Sequence, residues 1–333
     1  MLSKREISPP NDSGAALISS MLIVSLMAIV ALSIVESVRF ASRLSINLET
    51  REQAQLYAIG AETFAKESVG NFWVPGQDRQ PAVEQWVGQP FFFPIDSGGI
   101  QGEAKDGANC FNLNSLVSQG EGVDRVTNPV TLAEFTRLLR HLDMLDSEAS
   151  ALATATADWI DSDQVAGFSG AEDPFYGALD TPYRTAGGAM VEPSEIKRVR
   201  GMSLPLYERI RPHICTRPTL EVQAVNMNTL RAWNAPLLAA ILDEEMAVSD
   251  ALEIIEARPA GGFSDIAEIA ESPQIRDLEL DDEVLGRLGI KSRYVDLTVQ
   301  VRYRDVFLDM ISSLQIDETG DITTLSRRYG SAE

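Results

Sequence analysis

Residues Ala15–Val35 read AALISSMLIVSLMAIVALSIV, twenty-one residues without a charge, and Gly14 stands immediately before them. At 1.5 Å per residue such a run reaches across the roughly 30 Å hydrocarbon core of a bilayer. No small-residue cleavage site and no turn signal closes it. Helical spacing continues through Phe40, Leu44, Leu48, Leu56, Ala61, Phe64 and Val69, with Arg43, Glu49, Glu52, Glu62 and Lys66 assigned to the other face. One helix is therefore expected from Ala15 to about Asn71, roughly 85 Å long. Its first part would lie in a membrane and its second against a soluble domain.

On the N-terminal side, Lys4 and Arg5 precede the run, which places the N-terminus in the cytoplasm and the bulk of the chain beyond the membrane. The run is too long for an ordinary secretory signal. The rest is acidic: 49 Asp and Glu against 28 Lys and Arg give a net charge of −21 over 333 residues. Such a balance disfavours nucleic acid and anionic lipid, and the densest basic run, Lys197–Arg200, is short. The two cysteines, Cys110 and Cys215, are expected to pair if the bulk of the chain lies in an oxidising compartment; two buried free thiols are the alternative.

Beyond the long helix, Val74–Pro94 carries four prolines, together with Trp86 and the Phe91–Phe93 run, just after Trp73. This aromatic cluster is expected to pack between helix and sheet. Gly98–Asn114 reads as strand broken by glycines, Thr131–Asp161 as helix, Ser194–Ile214 as a helix pair and Leu220–Val225 as strand. Pro236–Leu288 is largely helical in pattern. Tyr294–Arg304 alternates cleanly as a strand, and Val306–Ile316 and Thr323–Tyr329 add two more. Strands thus bracket two helical blocks, which implies an α+β fold with large helical insertions.

The densest chemistry lies in Asp158-Trp-Ile-Asp161-Ser-Asp163-Gln-Val165, followed by Gly170-Ala-Glu172-Asp173-Pro-Phe-Tyr176. Alternating carboxylates of this kind suit a loop wrapped around a hard cation. Calcium takes six to eight oxygens near 2.4 Å from carboxylates and carbonyls, whereas magnesium keeps more water. A solvated acidic loop is the competing reading. Asn226-Met-Asn228-Thr229 with Phe263-Ser-Asp265-Ile-Ala-Glu268 has the look of a helix-hairpin-helix unit. Its hairpin, Asp243–Ser249, holds acids where a DNA-binding unit offers glycine amides, so it reads as a packing module. No Gly-x-Ser-x-Gly elbow, phosphate loop or His-Glu-x-x-His pair is present, and the chain is not expected to be an enzyme.

Taken with these residues, the chain resembles the type IV pilin-like class, in which a short basic leader ending in glycine is cut on the cytoplasmic side and the apolar run is kept as a filament spine. The resemblance implies a prepilin peptidase cut between Gly14 and Ala15. Two positions depart from most of that class: Ala15 stands where phenylalanine is usual, and Ser19 where glutamate is usual at the fifth mature position. The missing glutamate and the acidic stretch, with Pro182-Tyr183-Arg184 and Val225-Asn-Met-Asn-Thr229, resemble the K-type minor pseudopilins of type II secretion systems.

That resemblance implies a pilin-like spine helix packed on an antiparallel sheet, carrying helical (SAM-like or helix-hairpin-helix-like) insertions. It divides the chain into a leader (1–14), a transmembrane segment (15–35), an amphipathic continuation (36–72), a sheet region (73–115), a helical insertion with a calcium loop (116–219), a strand (220–229), a second helical block (230–290) and C-terminal strands (291–333). It implies a structural Ca²⁺ on Asp161, Asp163, Glu172 and Asp173, with the Val165 carbonyl as a further ligand. It also implies a Gram-negative inner membrane and periplasm, a place at the pseudopilus tip, and minor pseudopilins I and J as partners, with secreted substrates and the outer-membrane channel as possible contacts. A binding module of another pilus or a DNA-uptake machine is the second functional class.

Overall fold

The structure, a computed structural model, describes residues 13–72 and 88–330. Most of the leader, together with Trp73 and Trp86, lies outside the described residues. Helix α1 (Ser13–Phe72) is unbroken and, at 60 residues, is about 90 Å long. It is the one helix, among those described, long and apolar enough to cross a membrane.

Residues 15–49 are all exposed, and burial begins at Thr50. From there Ala54, Ala58, Ala61, Ala65 and Val69 form the buried stripe, spaced three and four apart. Here the structure corrects the face expected from the large residues: Phe40, Leu44, Leu48, Leu56 and Phe64 are all exposed. Alanines let the helix approach the sheet closely, and the bulky side chains are left facing outward. Glu62, assigned to the polar face, is also buried. It is tolerated there because Ser312, Thr324 and Arg327 hydrogen-bond to it and Lys66 pairs with it.

The partner of that stripe is a five-stranded antiparallel sheet. β1 (Pro90–Ile95) and β2 (Gly98–Asp106) form a hairpin, after which the chain leaves the sheet. The excursion holds β3 (Phe111–Asn112), β4 (Val117–Gln119), β5 (Arg125–Thr127), α2 (Pro129–His141), α3 (Asp146–Ile160), α4 (Asp173–Tyr176), α5 (Leu204–Ile210) and β6 (Ile214–Cys215). It goes on through β7 (Val225–Asn226), α6 (Ala235–Leu242), α7 (Val248–Glu256), α8 (Ile266–Glu271), α9 (Pro273–Arg276), α10 (Asp282–Leu285) and β8 (Leu288–Gly289). The chain returns as β9 (Tyr294–Tyr303), β10 (Val306–Ile316) and β11 (Ile322–Tyr329), giving the order β1-β2-β9-β10-β11. β9 inserts beside β2, so strands far apart in sequence close one sheet.

Three expectations shift. The helix expected over Thr131–Asp161 is two, broken where Asp143 takes a left-handed φ of 63°, a conformation a short polar side chain tolerates. The strand expected over Leu220–Val225 is reduced to Val225–Asn226, paired only with Leu288–Gly289. The Ser194–Ile214 pair is a 3₁₀ turn, Pro193–Arg198, followed by α5. The Phe run is strand β1. Phe91 and Phe93 pack toward the sheet core and Phe93 meets Phe64 edge-on at 4.8 Å, while Phe92 points to the opposite face.

The excursion has its own core, centred on Phe111 stacked with Phe135 at 4.9 Å and extending from Leu113 to Ile290. It is pinned to the sheet by buried polar groups and one covalent bond. Asp106 at the end of β2 accepts hydrogen bonds from Thr229 and Ser292, and Arg217 binds Asp296 of β9 at 2.7 Å. Cys110 and Cys215 form a disulfide, with Cα atoms 5.7 Å apart.

The direction of α1 fixes where this domain sits. Tyr57 packs on Tyr303, at the hairpin end of β9, with ring centroids 5.4 Å apart. Five residues on, Glu62 meets Ser312, which lies opposite Leu297. The helix thus runs from the hairpin end of the sheet toward the end where β2 stops and β9 starts. The helical domain is mounted at that far end, away from the apolar segment.

Candidate metal centre

Helix α3 ends by delivering two carboxylates. Asp158 lies in its last turn and Asp161 is its C-cap, with φ −68° and ψ 178°. The chain then loops out and returns at Glu172, the N-cap of α4. One oxygen each from Asp158, Asp161 and Glu172 lies within 4.8 Å of the others, and all three residues are buried.

The loop is wrapped around Asp158, whose carboxylate accepts hydrogen bonds from the amides of Gly167 (3.2 Å) and Ala171 (2.8 Å). A Cβ at Gly170 would lie 1.9 Å from Asp158 Oδ2, so only glycine lets the backbone pass there. Beneath, Trp159 packs edge-on against the fully buried Tyr176, with centroids 5.3 Å apart. The phenol oxygen of Tyr176 accepts the Arg200 amide, and burial pushes its pKa up to about 12.

The trio is not satisfied by protein. Asp161 Oδ1 and both oxygens of Glu172 are buried without a hydrogen-bond partner, and among the described residues no lysine or arginine pairs with them. Burial, then the negative charges of Asp163 and Asp158, push Asp161 up to about 7. Burial, then Asp161 and Asp158, push Glu172 up to about 7. Asp158 is also raised, chiefly by burial. Three buried carboxylates this close together, two of them with orphaned oxygens, require protons or a cation. The all-oxygen donor set is hard, which suits calcium and not a soft transition metal.

Of the residues expected as ligands, the structure brings together Asp161 and Glu172. Asp163 is exposed and accepts the Val165 amide at 2.7 Å, near enough to act on Asp161 through its charge. Asp173 turns away: its Oδ1 accepts the amide (2.9 Å) and hydroxyl (3.2 Å) of Thr185. The Val165 side chain is exposed. Asp158 joins the trio though the sequence reading gave it no ligand role. The signal was its three-residue spacing from Asp161, which on a helix puts both on one face.

At the other end of the molecule, Gly14 and Ala15 lie in the first turn of α1, and Ser19 Oγ donates to the Ala15 carbonyl at 2.9 Å. The serine is satisfied inside its own helix and needs no outside partner. The segment between α6 and α7 carries Asp243, Glu244 and Glu245, and the Glu245 amide donates to Asp243 Oδ1 at 2.8 Å.

Comparison with known proteins gives one consistent answer. The family described as type II secretion system (T2SS), protein K matches residues 109–219 and, in a second segment, 225–291. Type II secretion system protein K of Pectobacterium carotovorum subsp. carotovorum is 32% identical over 95% of this chain and 96% of its own length. The protein of the same description from Aeromonas hydrophila is 30% identical over 97% and 98%. Among solved structures, a chain of the GspK-GspI-GspJ complex from the enterotoxigenic Escherichia coli type 2 secretion system superposes with a TM-score of 0.74 at 25% identity, covering 86% of this chain and 99% of that one.

Proposed function

The chain belongs to the type II secretion system protein K family, the K-type minor pseudopilins, and from that premise we propose that it caps the pseudopilus as its tip subunit. The observation that carries this is the mounting of the helical domain beyond the far end of the sheet, where α1 runs out. A subunit within a helical filament must leave that space for the subunit above it; a terminal one need not. Ser19 supports the same reading. With no carboxylate in the apolar segment, there is no buried charge for a neighbour's terminal amine to compensate.

In this account α1 crosses the inner membrane once, with its N-terminus cytoplasmic and the head periplasmic, after cleavage between Gly14 and Ala15. The exposed leucines and phenylalanines of α1 then pack against the spines of minor pseudopilins I and J. GspI and GspJ are the subunits named with the structural neighbour. The role is assembly, priming a filament that drives folded proteins through the outer membrane, and it is not catalytic.

The trio of Asp158, Asp161 and Glu172 would hold a calcium ion, with Asp163 at its margin. Bound there, the ion would supply positive charge that neutralises the buried carboxylates and fixes the 161–172 loop to α3. The reading is tested by co-expressing the full chain with the I- and J-type pseudopilins of its system and recovering it by an affinity tag. Stoichiometric recovery of both is expected, and a chain that purifies alone contradicts it.

A further inference from the structure

The segment leading into β7 has the strand pattern of Leu220–Val225 but no strand beside it. Its odd-numbered residues are tied to the chain. The Thr219 carbonyl accepts from Asn112 Nδ2 at 2.9 Å, the Glu221 amide donates to Thr219 Oγ1 at 3.1 Å, and the Gln223 carbonyl accepts from Arg287 Nε at 3.1 Å. The Val225 amide then donates to the Arg287 carbonyl at 2.9 Å. Between them, the amides and carbonyls of Leu220, Val222 and Ala224 make no hydrogen bond among the described residues. Successive residues of a strand direct their main-chain groups to opposite sides, so pairing at every second residue marks a backbone satisfied on one side and open on the other.

This segment walls a cavity of 710 Å³ at the end of the sheet where α1 runs out, beside Tyr294 of β9 and Gln315 of β10. Gly286 and Gly289 line the same cavity and leave bare backbone there. A Cβ on Gly289 would come within 3.2 Å of Ala224 Cβ, so the glycine keeps β8 close to the segment. Buried Ala108, Ile290 and Tyr294 give the cavity an apolar lining. Gln223 also lines it, and its side-chain Nε2 and Oε1 are both buried without a hydrogen-bond partner. A buried amide left unmade in both donor and acceptor is costly.

We propose that Leu220–Ala224 is an open strand position, which takes an extended segment of a second protein by strand addition along this cavity. The inference goes beyond the filament role and is independent of where the subunit sits in it. Main-chain chemistry selects the occupant. Donors and acceptors repeating at every second residue match another polypeptide backbone, and the Gln223 amide offers one further donor and acceptor to a peptide unit. Charge argues against nucleic acid and anionic lipid, because Glu221 and Asp265 on the rim offset Lys291 and Arg293. The bound segment is therefore a strand of about five residues, with apolar side chains toward Ile290 and Tyr294.

The test selects phage-displayed random dodecapeptides on the full chain in detergent, then maps each selected peptide by amide hydrogen exchange. Peptides that slow exchange at Val222 and Ala224 are expected. A selection that yields none, or only peptides that protect other segments, overturns the proposal. The selected peptide is next synthesised with N-methyl groups on either alternate set of its amides. Methylating one set should weaken binding about tenfold or more, and methylating the other should leave it within about twofold. Equal effects of the two sets would overturn strand addition, whatever the fold of any protein variant. In parallel, Val222→Pro removes an amide that has no partner in the chain, so the melting temperature should hold while peptide affinity falls about tenfold. Undiminished affinity in that variant would contradict the site.

Discussion

Glu62 of the spine helix and Arg327 of the last strand form a two-pronged ion pair, Nε to Oε2 at 2.6 Å and Nη2 to Oε1 at 2.9 Å, across the face α1 shares with the sheet. Burial alone would raise the Glu62 pKa. The hydrogen bonds of Arg327, Thr324 and Ser312, with Lys66 beside them, outweigh it and hold the group at about 2. A depressed carboxylate contributes stability that is complete above its unfolded pKa and lost as pH falls through the folded one. Spine-to-sheet attachment should therefore weaken between about pH 4.5 and pH 2. Glu62→Gln should cost about 1–3 kcal/mol in denaturant unfolding at pH 7 and flatten that acid limb. An acid limb unchanged in the variant would show that other groups cause it.

The buried trio predicts the opposite pH sign. Groups raised to about 7 contribute stability that is full below pH 4 and lost as pH rises through 7, so the calcium-stripped protein should melt lower at pH 8 than at pH 5. Adding calcium at pH 8 should raise the melting temperature by about 5 °C or more.

Asp161→Asn and Glu172→Gln should stabilise the chelated protein, by removing repulsion, while abolishing the calcium increment. Asp173→Asn should leave that increment in place, because Asp173 serves Thr185 instead. Differential scanning with and without chelator reads all three variants, and a calcium response that survives Asp161→Asn contradicts the site.

The Cys110–Cys215 bond closes a separation of 105 residues. On the chain-entropy account its loss destabilises by about 4–5 kcal/mol, less any strain relieved. The paired Cys110→Ser, Cys215→Ser variant should unfold at correspondingly lower denaturant, as followed by tyrosine and tryptophan fluorescence. The ion pair of the buried Arg217 with Asp296 should still hold the helical domain on the sheet, so the fold should persist.

Gly14→Leu should leave an uncleaved precursor in the membrane, visible as a slower band on a gel, and secretion should stop. Normal mobility in that variant would remove the basis for cytoplasmic processing.

The long helix, strands β9 to β11 and the cysteine pair were legible because each follows from a strong local rule: an uncharged run, strict alternation, and two cysteines alone in the chain. The α1 packing face was not, since the large residues suggested a face that the alanines in fact supply. Bulk marks burial only when a partner lies in the same chain, and here Leu44, Leu48 and Leu56 are left exposed. At the metal centre, Asp161 and Glu172 were readable as converging carboxylates. Asp158 was hidden by its place in a helix, and Asp173 misled because a neighbouring acid in sequence turns to a different partner in space. The short elements between Pro193 and Leu288 blurred because few span the two turns that periodicity needs.

The central claim is that this subunit ends the filament. Gold-labelled antibody against an epitope tag in the exposed segment between α6 and α7, applied to pseudopili assembled with the full set of subunits, tests it directly. The account predicts label at one end of each filament and none along the shaft. Label distributed at regular intervals along the shaft would contradict it.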